Sequence, residues 1–307
     1  MTERTLSLGP LLYLWEPEAW RDFYFRIADE APVDAVTVGE VVCSKRMHFM
    51  APHLDAVFER LERAGKTVRL GSLALVTLPR EEKLTQALAG EARVVEVNDL
   101  SALAALKGKP CAIGPLVNVY NAATAKVLHA RGASTICLPP ELTFESVRAI
   151  VAGAPEVRFE VFAFGRVPLA LSARCAHARL KGNTKDNCQF VCGEDPDGLA
   201  VETLDGQPFL ALNGIQTVSH TCQALVGELA ALREAGVASF RLSPQRCDMV
   251  AVAALYRAVL DGRVDGDEGV ARLRELYPAA PLANGFLFAA PGADFLREQL
   301  GSAANAG

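Results

Sequence analysis

Asp34-Ala-Val-Thr-Val-Gly39 leads, through a stripe formed by Leu54, Val57, Phe58 and Leu61, to a run rich in β-formers over residues 67–76. A short β-branched run, a helix with one apolar face and a second short run make a strand, helix, strand unit. Working outward, the unit recurs on both sides. Toward the N-terminus lie an apolar run at 6–11 and, after Glu16-Pro17, helical spacing over 18–28. Toward the C-terminus, Pro79 with Glu81 and Glu82 marks a helix start, where negative charge complements the helix dipole. Residues 93–97 form a fourth strand, and Asp99 caps a short helix that ends at Leu106. Residues 110–114, 134–138 and 157–164 follow as strands five to seven, with helices at 122–130 and 142–151 between them.

The alternation stops at Gly165. Residues 165–206 hold glycines, charges and cysteines with little periodicity, which is the signature of an insertion, and long insertions of this kind usually carry function. Alternation resumes with a strand at 208–212, a helix at 224–235, a strand at 239–242 and a helix at 249–260. Repeated strand and helix with short turns predict a parallel sheet covered by helices. The number of units, and the lack of a glycine-rich dinucleotide fingerprint, favour closure over an open doubly wound sheet. The expectation is an α/β fold, a (β/α) TIM-like barrel with a cysteine-bearing insertion after the seventh strand. Residues 1–262 are expected as one barrel-like domain that includes insertion 165–206, and residues 263–307, rich in Gly, Ala and Pro, as a C-terminal extension.

Composition narrows the function classes. Of 307 residues, 50% are hydrophobic, 22% charged and 7% aromatic, which excludes disorder, collagen and coiled coil. A formal net charge of −5 leaves no global basic field to draw the chain onto nucleic acid or an anionic membrane surface. The N-terminal stretch has Glu3 and Arg4 and then a short apolar run with Pro10 inside it, unlike a signal peptide. Later apolar stretches are cut by charges such as Arg158, Glu160 and Arg166 before they reach the length of a spanning helix. A cytoplasmic protein, not integral to a membrane, is expected. Its eight cysteines are then no disulfide framework, so metal ligation or burial must explain them.

No phosphate loop, nucleophile elbow or zinc-protease helix is present. Among five histidines (His48, His53, His129, His177, His220) only His177 stands out, two residues beyond Cys175. The insertion concentrates Cys175, Cys188 and Cys192, spaced C-x12-C-x3-C, among polar neighbours Lys185, Asp186 and Asn187. Cys43 follows the second strand. In a barrel, the loops after strands two and seven share the C-terminal face, so a fourth thiolate can reach the other three. Four cysteines suit a tetrahedral structural Zn²⁺ or an iron–sulfur cluster, and the spacing mildly favours the cluster because only Cys188 and Cys192 pair closely. Cys111 and Cys137 read as small core hydrophobes on strands, and Cys222 and Cys247 as structural.

Arg174, Arg179, Lys181 and Lys185 make the insertion basic. Such a run is a solvated face, an offset for thiolate charge, or a receiver for an anionic substrate. Arg166, Arg174 and Arg241 stand at or near strand ends as anion candidates, and Asn213-Gly-Ile-Gln216 and Arg241-Leu-Ser-Pro-Gln245 can line the same mouth. Glu40 closes the second strand and can ligate, orient a cation or be exposed. Glu40, Arg174 and Arg241 are the candidates for catalysis, from location alone.

Gly39-Glu-Val-Val-Cys-Ser-Lys-Arg46, Gly165-Arg-Val-Pro-Leu-Ala-Leu-Ser-Ala-Arg-Cys175, Asn213-Gly-Ile-Gln-Thr217 and Arg241-Leu-Ser-Pro-Gln245 together resemble the collagenase-like peptidase family, in its branch serving oxygen-independent ubiquinone biosynthesis. The resemblance runs from about Leu6 to about Asn284. It implies a [4Fe-4S] cluster on Cys43, Cys175, Cys188 and Cys192. It also implies a heterodimer with a homologous UbiU-type subunit, a quinone precursor as the small-molecule substrate, and a hydroxyl donor other than O₂, with prephenate the donor implied. The competing expectations are a peptidase or other hydrolase, as the family name suggests, and a zinc-stapled scaffold that presents a quinone precursor.

Overall fold

Leu8 of β1 (Thr5–Leu8) pairs in parallel with Val36 of β2 (Ala35–Val38) on one side and with Leu242, more than 200 residues later in the chain, on the other. That double pairing closes the barrel. The computed structural model describes residues 5–297 and residue 300. From β2 the sheet continues in parallel through β3 (Thr67–Gly71), β4 (Val94–Val97), β5 (Cys111–Ile113), β6 (Ala133–Leu138) and β7 (Arg158–Leu171). The ring is completed where Ser239–Leu242 pairs in parallel with both β7 and β1. The result is the expected closed, eight-stranded parallel barrel with helices around it, a TIM-barrel-like fold.

The helices form for the reasons read from the sequence. Pro79 opens Pro79–Ala87, with Glu81 and Glu82 in its first turn, and Asp99 accepts a hydrogen bond from the Ser101 N–H at the start of Leu100–Leu106. Helix Leu54–Arg63 buries Val57, Phe58 and Leu61.

Three expectations fail after Gly165. Strand β7 does not stop at Phe164 but runs to Leu171, leaving the barrel as a ribbon. Residues 208–212, expected as a barrel strand, belong instead to β9 (Pro208–Asn213), which lies antiparallel between β8 (Leu199–Glu202) and β10 (Gln216–Ala224). Strand β10 then pairs antiparallel with the extended end of β7. Local alternation reports that a segment is a strand but not its direction. A tight turn, Thr203 N–H to the Gln207 carbonyl at 2.9 Å, sends this one back on itself. The eighth barrel strand is therefore β11 (Ser239–Leu242). The helix expected from 224 starts later, as Leu229–Glu234, because β10 occupies the chain up to Ala224.

Beyond residue 262, helix Gly266–Leu276 is capped by Asp265 and places Val270 and Leu273, with Tyr277 after it, in the main core. Strand β12 (Leu282–Ala283) pairs in parallel with β10. Glu3 and Arg4, and most of the extension from residue 298 onward, lie outside the described residues. No helix among the described residues is long and apolar enough to cross a membrane.

Inside, the barrel is ionic. Arg241 on β11 donates to both oxygens of Glu96 on β4 and reaches Glu160 of β7 at 3.2 Å. Ser7, Ser239 and, more distantly, Arg69 surround Glu160, and Thr37 donates to Glu96. Gly9 leaves the room this requires, since a Cβ there would stand 2.8 Å from Arg241 Nε.

Candidate functional site: a four-cysteine pocket

The barrel brings Cys43, Cys175, Cys188 and Cys192 to one small pocket, whose wall also includes Lys45, Arg46, Lys185, Phe190 and Gly214. Three local devices bring the four sulfurs there. Cys43 precedes a 3₁₀ turn, Ser44–Arg46, held by Glu40, whose Oε1 accepts from the N–H groups of Val42 and Cys43 at 2.8 Å each. Cys175 caps the helix Ala176–Leu180, its Sγ accepting from the Ala178 N–H at 3.4 Å. Cys188 and Cys192 flank Gln189 and Phe190, both in the left-handed region at φ 48° and 54°, which curls the C-x3-C segment. Non-glycine residues held there are strained, and such strain concentrates at functional sites.

Behind the sulfurs lies Arg46, fully buried. Its Nη1 donates to the Leu12 carbonyl and its Nη2 to Asn213 Oδ1, both at 2.9 Å, while Nε is left without a partner. Gly214, at φ +63°, lets the chain pass against this guanidinium; a Cβ would sit 2.5 Å from Nη2. His177, also fully buried, links the Cys175 helix to its surroundings through Nδ1 to the Leu212 carbonyl (3.1 Å) and Nε2 to Asp195 Oδ2 (3.0 Å). Burial pushes its pKa below the ordinary imidazole value, opposed by Asp195.

Burial raises the Cys43 and Cys175 thiols above the ordinary cysteine value, and the Arg46 charge pulls both back. Burial likewise raises the Glu40 carboxyl, against the attraction of Arg46. Lys45, Arg46 and Lys185 stand in the wall of the same pocket, so its sulfurs share their surroundings with three cationic side chains. Among the described residues, no three of His, Cys, Asp and Glu are grouped so as to hold a single metal ion. All eight cysteines are free thiols.

The other candidates separate. Cys111 and Cys137 are buried on β5 and β6, and Cys222 on β10, while Cys247 is partly buried with its sulfur 3.6 Å from Met249 Sδ. Arg241 is enclosed in the barrel interior by Glu96 and Glu160. Arg166 donates to the carbonyls of Ser219 and His220. Asn213 binds Arg46, and Gln245 accepts from the Tyr13 hydroxyl. Arg174 is exposed in a basic cleft beside Cys175, with Lys45, Arg80, Arg179 and Lys185. Glu40 alone of the proposed catalytic residues borders both the cysteine loop and a larger apolar cavity of about 590 Å³.

Arg46 and that cavity were not read from the sequence. Arg46 sits inside the quoted motif, but an arginine in a loop ordinarily signals a solvated surface. The cavity is built from helix faces and strand ends far apart in the chain, so no local pattern encodes it.

The profile describing peptidase family U32 matches residues 23–295, a span that includes the cysteine-bearing insertion and helix Gly266–Leu276. Among solved structures, the chain is similar to dihydropteroate synthase from Thermus thermophilus, at 15% identity over 86% of this chain and 94% of that one, with a TM-score of 0.43. It is also similar to a putative fructose-1,6-biphosphate aldolase from Coccidioides immitis, at 11% identity over 91% of each chain and a TM-score of 0.42.

Proposed function

The chain belongs to peptidase family U32, and from that premise we propose that it is a UbiV-like [4Fe-4S] subunit. In this reading it works in the cytoplasm with a homologous UbiU-type subunit to hydroxylate a ubiquinone precursor without O₂, prephenate being the expected donor. One observation carries the proposal: Cys43, more than a hundred residues from the other three in sequence, lines the same pocket as Cys175, Cys188 and Cys192. The donor set supports a cluster. Four thiols line one small pocket, the ligand set that a [4Fe-4S] cluster takes and that the motif resemblance implies.

Bound there, the cluster would supply one-electron redox chemistry that the side chains of this fold lack. The residues of the chain do the rest. Cys43, Cys175, Cys188 and Cys192 would hold it; Glu40 fixes the Cys43 loop through two backbone N–H groups. Arg46 sets a buried positive charge behind the thiolates, and Lys45 and Lys185 add two more at the pocket wall. His177 anchors the Cys175 helix to the β9 ribbon and to Asp195.

The test is anaerobic purification with and without the UbiU-type partner. The proposal expects brown protein absorbing broadly near about 400 nm, with about four iron and four sulfide per chain. It also expects a stable heterodimer that hydroxylates the quinone precursor in the absence of O₂. Colourless protein with stoichiometric zinc and no sulfide would replace it by the zinc-stapled scaffold. Peptide hydrolysis by the iron-free chain would replace it by the hydrolase.

A further inference from the structure

The cavity of about 590 Å³ beside the cysteine pocket is unused by the reading above except at Glu40 and Lys45. One wall comes from the segment after β2, with Met47, Met50 and Leu54; the opposite wall is the Pro79–Ala87 helix and its end, with Leu84, Thr85 and Leu88. The strand ends Gly39, Leu70 and Gly71 border the space between them. It is far too large for a packing defect, and it falls in the size range of sites that enclose small molecules. Its lining is aliphatic, and the unbranched, flexible Met47 and Met50 can adapt to an extended apolar chain rather than one rigid shape.

Two cations stand at this cavity and also border the basic cleft next to it: Lys45 and Arg80. Arg80 is exposed, reaches only the Ser44 hydroxyl, at 3.4 Å, and has no carboxylate partner among the described residues. Lys45 donates to the carbonyls of Lys185 and Asp186 and lies 3.9 Å from the exposed Asp186 carboxylate. Lys45 and Phe190 line the apolar cavity and the cysteine pocket alike. Phe190 leaves the C-x3-C segment to pack edge-on against Phe49, 4.8 Å between ring centres, and beside His48. Whatever fills the cavity thus touches the loop that carries Cys188 and Cys192.

We propose that the apolar cavity walled by Met47, Met50, Leu54, Leu84 and Leu88 binds the chain of a single-chain amphiphile whose carboxylate head is held at its rim by Lys45 and Arg80. Two sources share that chemistry, a fatty acid and an aromatic acid bearing a prenyl chain. The assignment deepens the functional reading above, because the second source has the shape of a quinone precursor. Binding itself needs neither cluster nor turnover.

Calorimetric titration of the full chain, as purified and as the Cys188→Ala variant, tests it with four probes: dodecanoate, dodecanol, benzoate, and 4-hydroxybenzoate carrying a ten-carbon prenyl chain. Both chain-bearing acids should bind, and benzoate at least tenfold more weakly. Ala51→Trp, at an exposed position of the cavity wall, should weaken both acids at least tenfold, and Leu84→Trp should do the same should the first variant unfold. Arg80→Ala should weaken the acids several-fold and leave dodecanol unchanged. Tighter binding of the prenylated acid identifies the aromatic source, and tighter binding of dodecanoate the fatty acid. Benzoate binding as well as the chain-bearing acids, or unchanged binding in both tryptophan variants, overturns the chain site. Loss of dodecanol binding equal to that of the acids in Arg80→Ala overturns the carboxylate site. Equal binding by Cys188→Ala keeps this result separate from the fate of the iron–sulfur reading.

Discussion

Arg241 holds Glu96 with both ends of its guanidinium, Nη1 to Oε2 and Nη2 to Oε1 at 2.7 Å each, inside the barrel and out of reach of solvent. A buried pair of this kind is costly to break, because removing one partner strands the other's charge, by about 3–5 kcal/mol. Glu96→Gln and Arg241→Met should each lower the free energy of unfolding by roughly that amount in urea titrations. The double variant should lose clearly less than the sum. Additive losses would show that the two side chains act independently.

The same pair sets an acid limit. Arg241, helped by Arg69 and Thr37, outweighs burial and holds the Glu96 carboxyl down to about 2, against 4.5 when free. A depressed carboxyl contributes stability that is fully present above pH 4.5 and is lost as pH falls toward 2. Chemical denaturation at pH 6, 4 and 3 should show stability falling over that window in the native chain, with a shallower fall in Glu96→Gln. Parallel pH profiles for the two would remove Glu96 as the cause.

Glu228 titrates in the opposite sense. Burial raises its carboxyl to about 7, Asn284 Nδ2 donates to one oxygen at 3.0 Å, and the other oxygen has no partner. The raised value means that stability is greatest below pH 4.5 and declines as pH climbs to about 7. Glu228→Gln keeps the acceptor for Asn284 and carries no charge. It should therefore be more stable than the native chain at pH 8, by up to about 3 kcal/mol, and indistinguishable from it at pH 4. Thermal melts at the two pH values check this, and a variant equally destabilised at both would refute it.

The four-cysteine assignment predicts a sharp contrast among thiols. Cys43→Ala, Cys175→Ala, Cys188→Ala and Cys192→Ala should each strip most iron from anaerobically prepared protein. Cys111→Ala and Cys137→Ala, whose side chains are buried on strands, should keep iron and lose about 1–3 kcal/mol through packing. Full iron in Cys43→Ala would remove it as a ligand and make Cys222 or Cys247 the next to test.

Gly214 gives a test without touching a sulfur. At φ +63°, with Arg46 Nη2 2.5 Å from where a Cβ would stand, Gly214→Ala must displace either the backbone or the guanidinium behind the cysteines. Iron content should drop while the barrel melts within a few degrees of the native protein. Native iron content would mean that Arg46 has no part in holding the site.

Much of the barrel was legible in the sequence because its units are local. Short β-branched runs, helices with a single apolar face and caps such as Asp99 are decided within a dozen residues. The closed barrel follows from repeating them. The same logic misplaced residues 208–212, because a strand's pattern is identical whether it runs parallel in the ring or antiparallel in a hairpin. Only the extension of β7 to Leu171, which offers β10 an edge to pair with, decides between them.

The sequence by itself determined the cysteine-rich insertion, the position of Cys43 at a strand end, and the burial of Cys111 and Cys137, since each depends on neighbours in the chain. What only the tertiary structure decided is what lies between distant segments. Arg46 is enclosed by Leu12 and Asn213, which are 34 and 167 residues away along the chain. Arg241 looked like a substrate ligand at a strand end, yet closure of the ring carries it inward onto Glu96, 145 residues away. A side chain's exposure and its charged partners are properties of the closed surface, and the chain acquires that surface only when its first strand meets its eleventh.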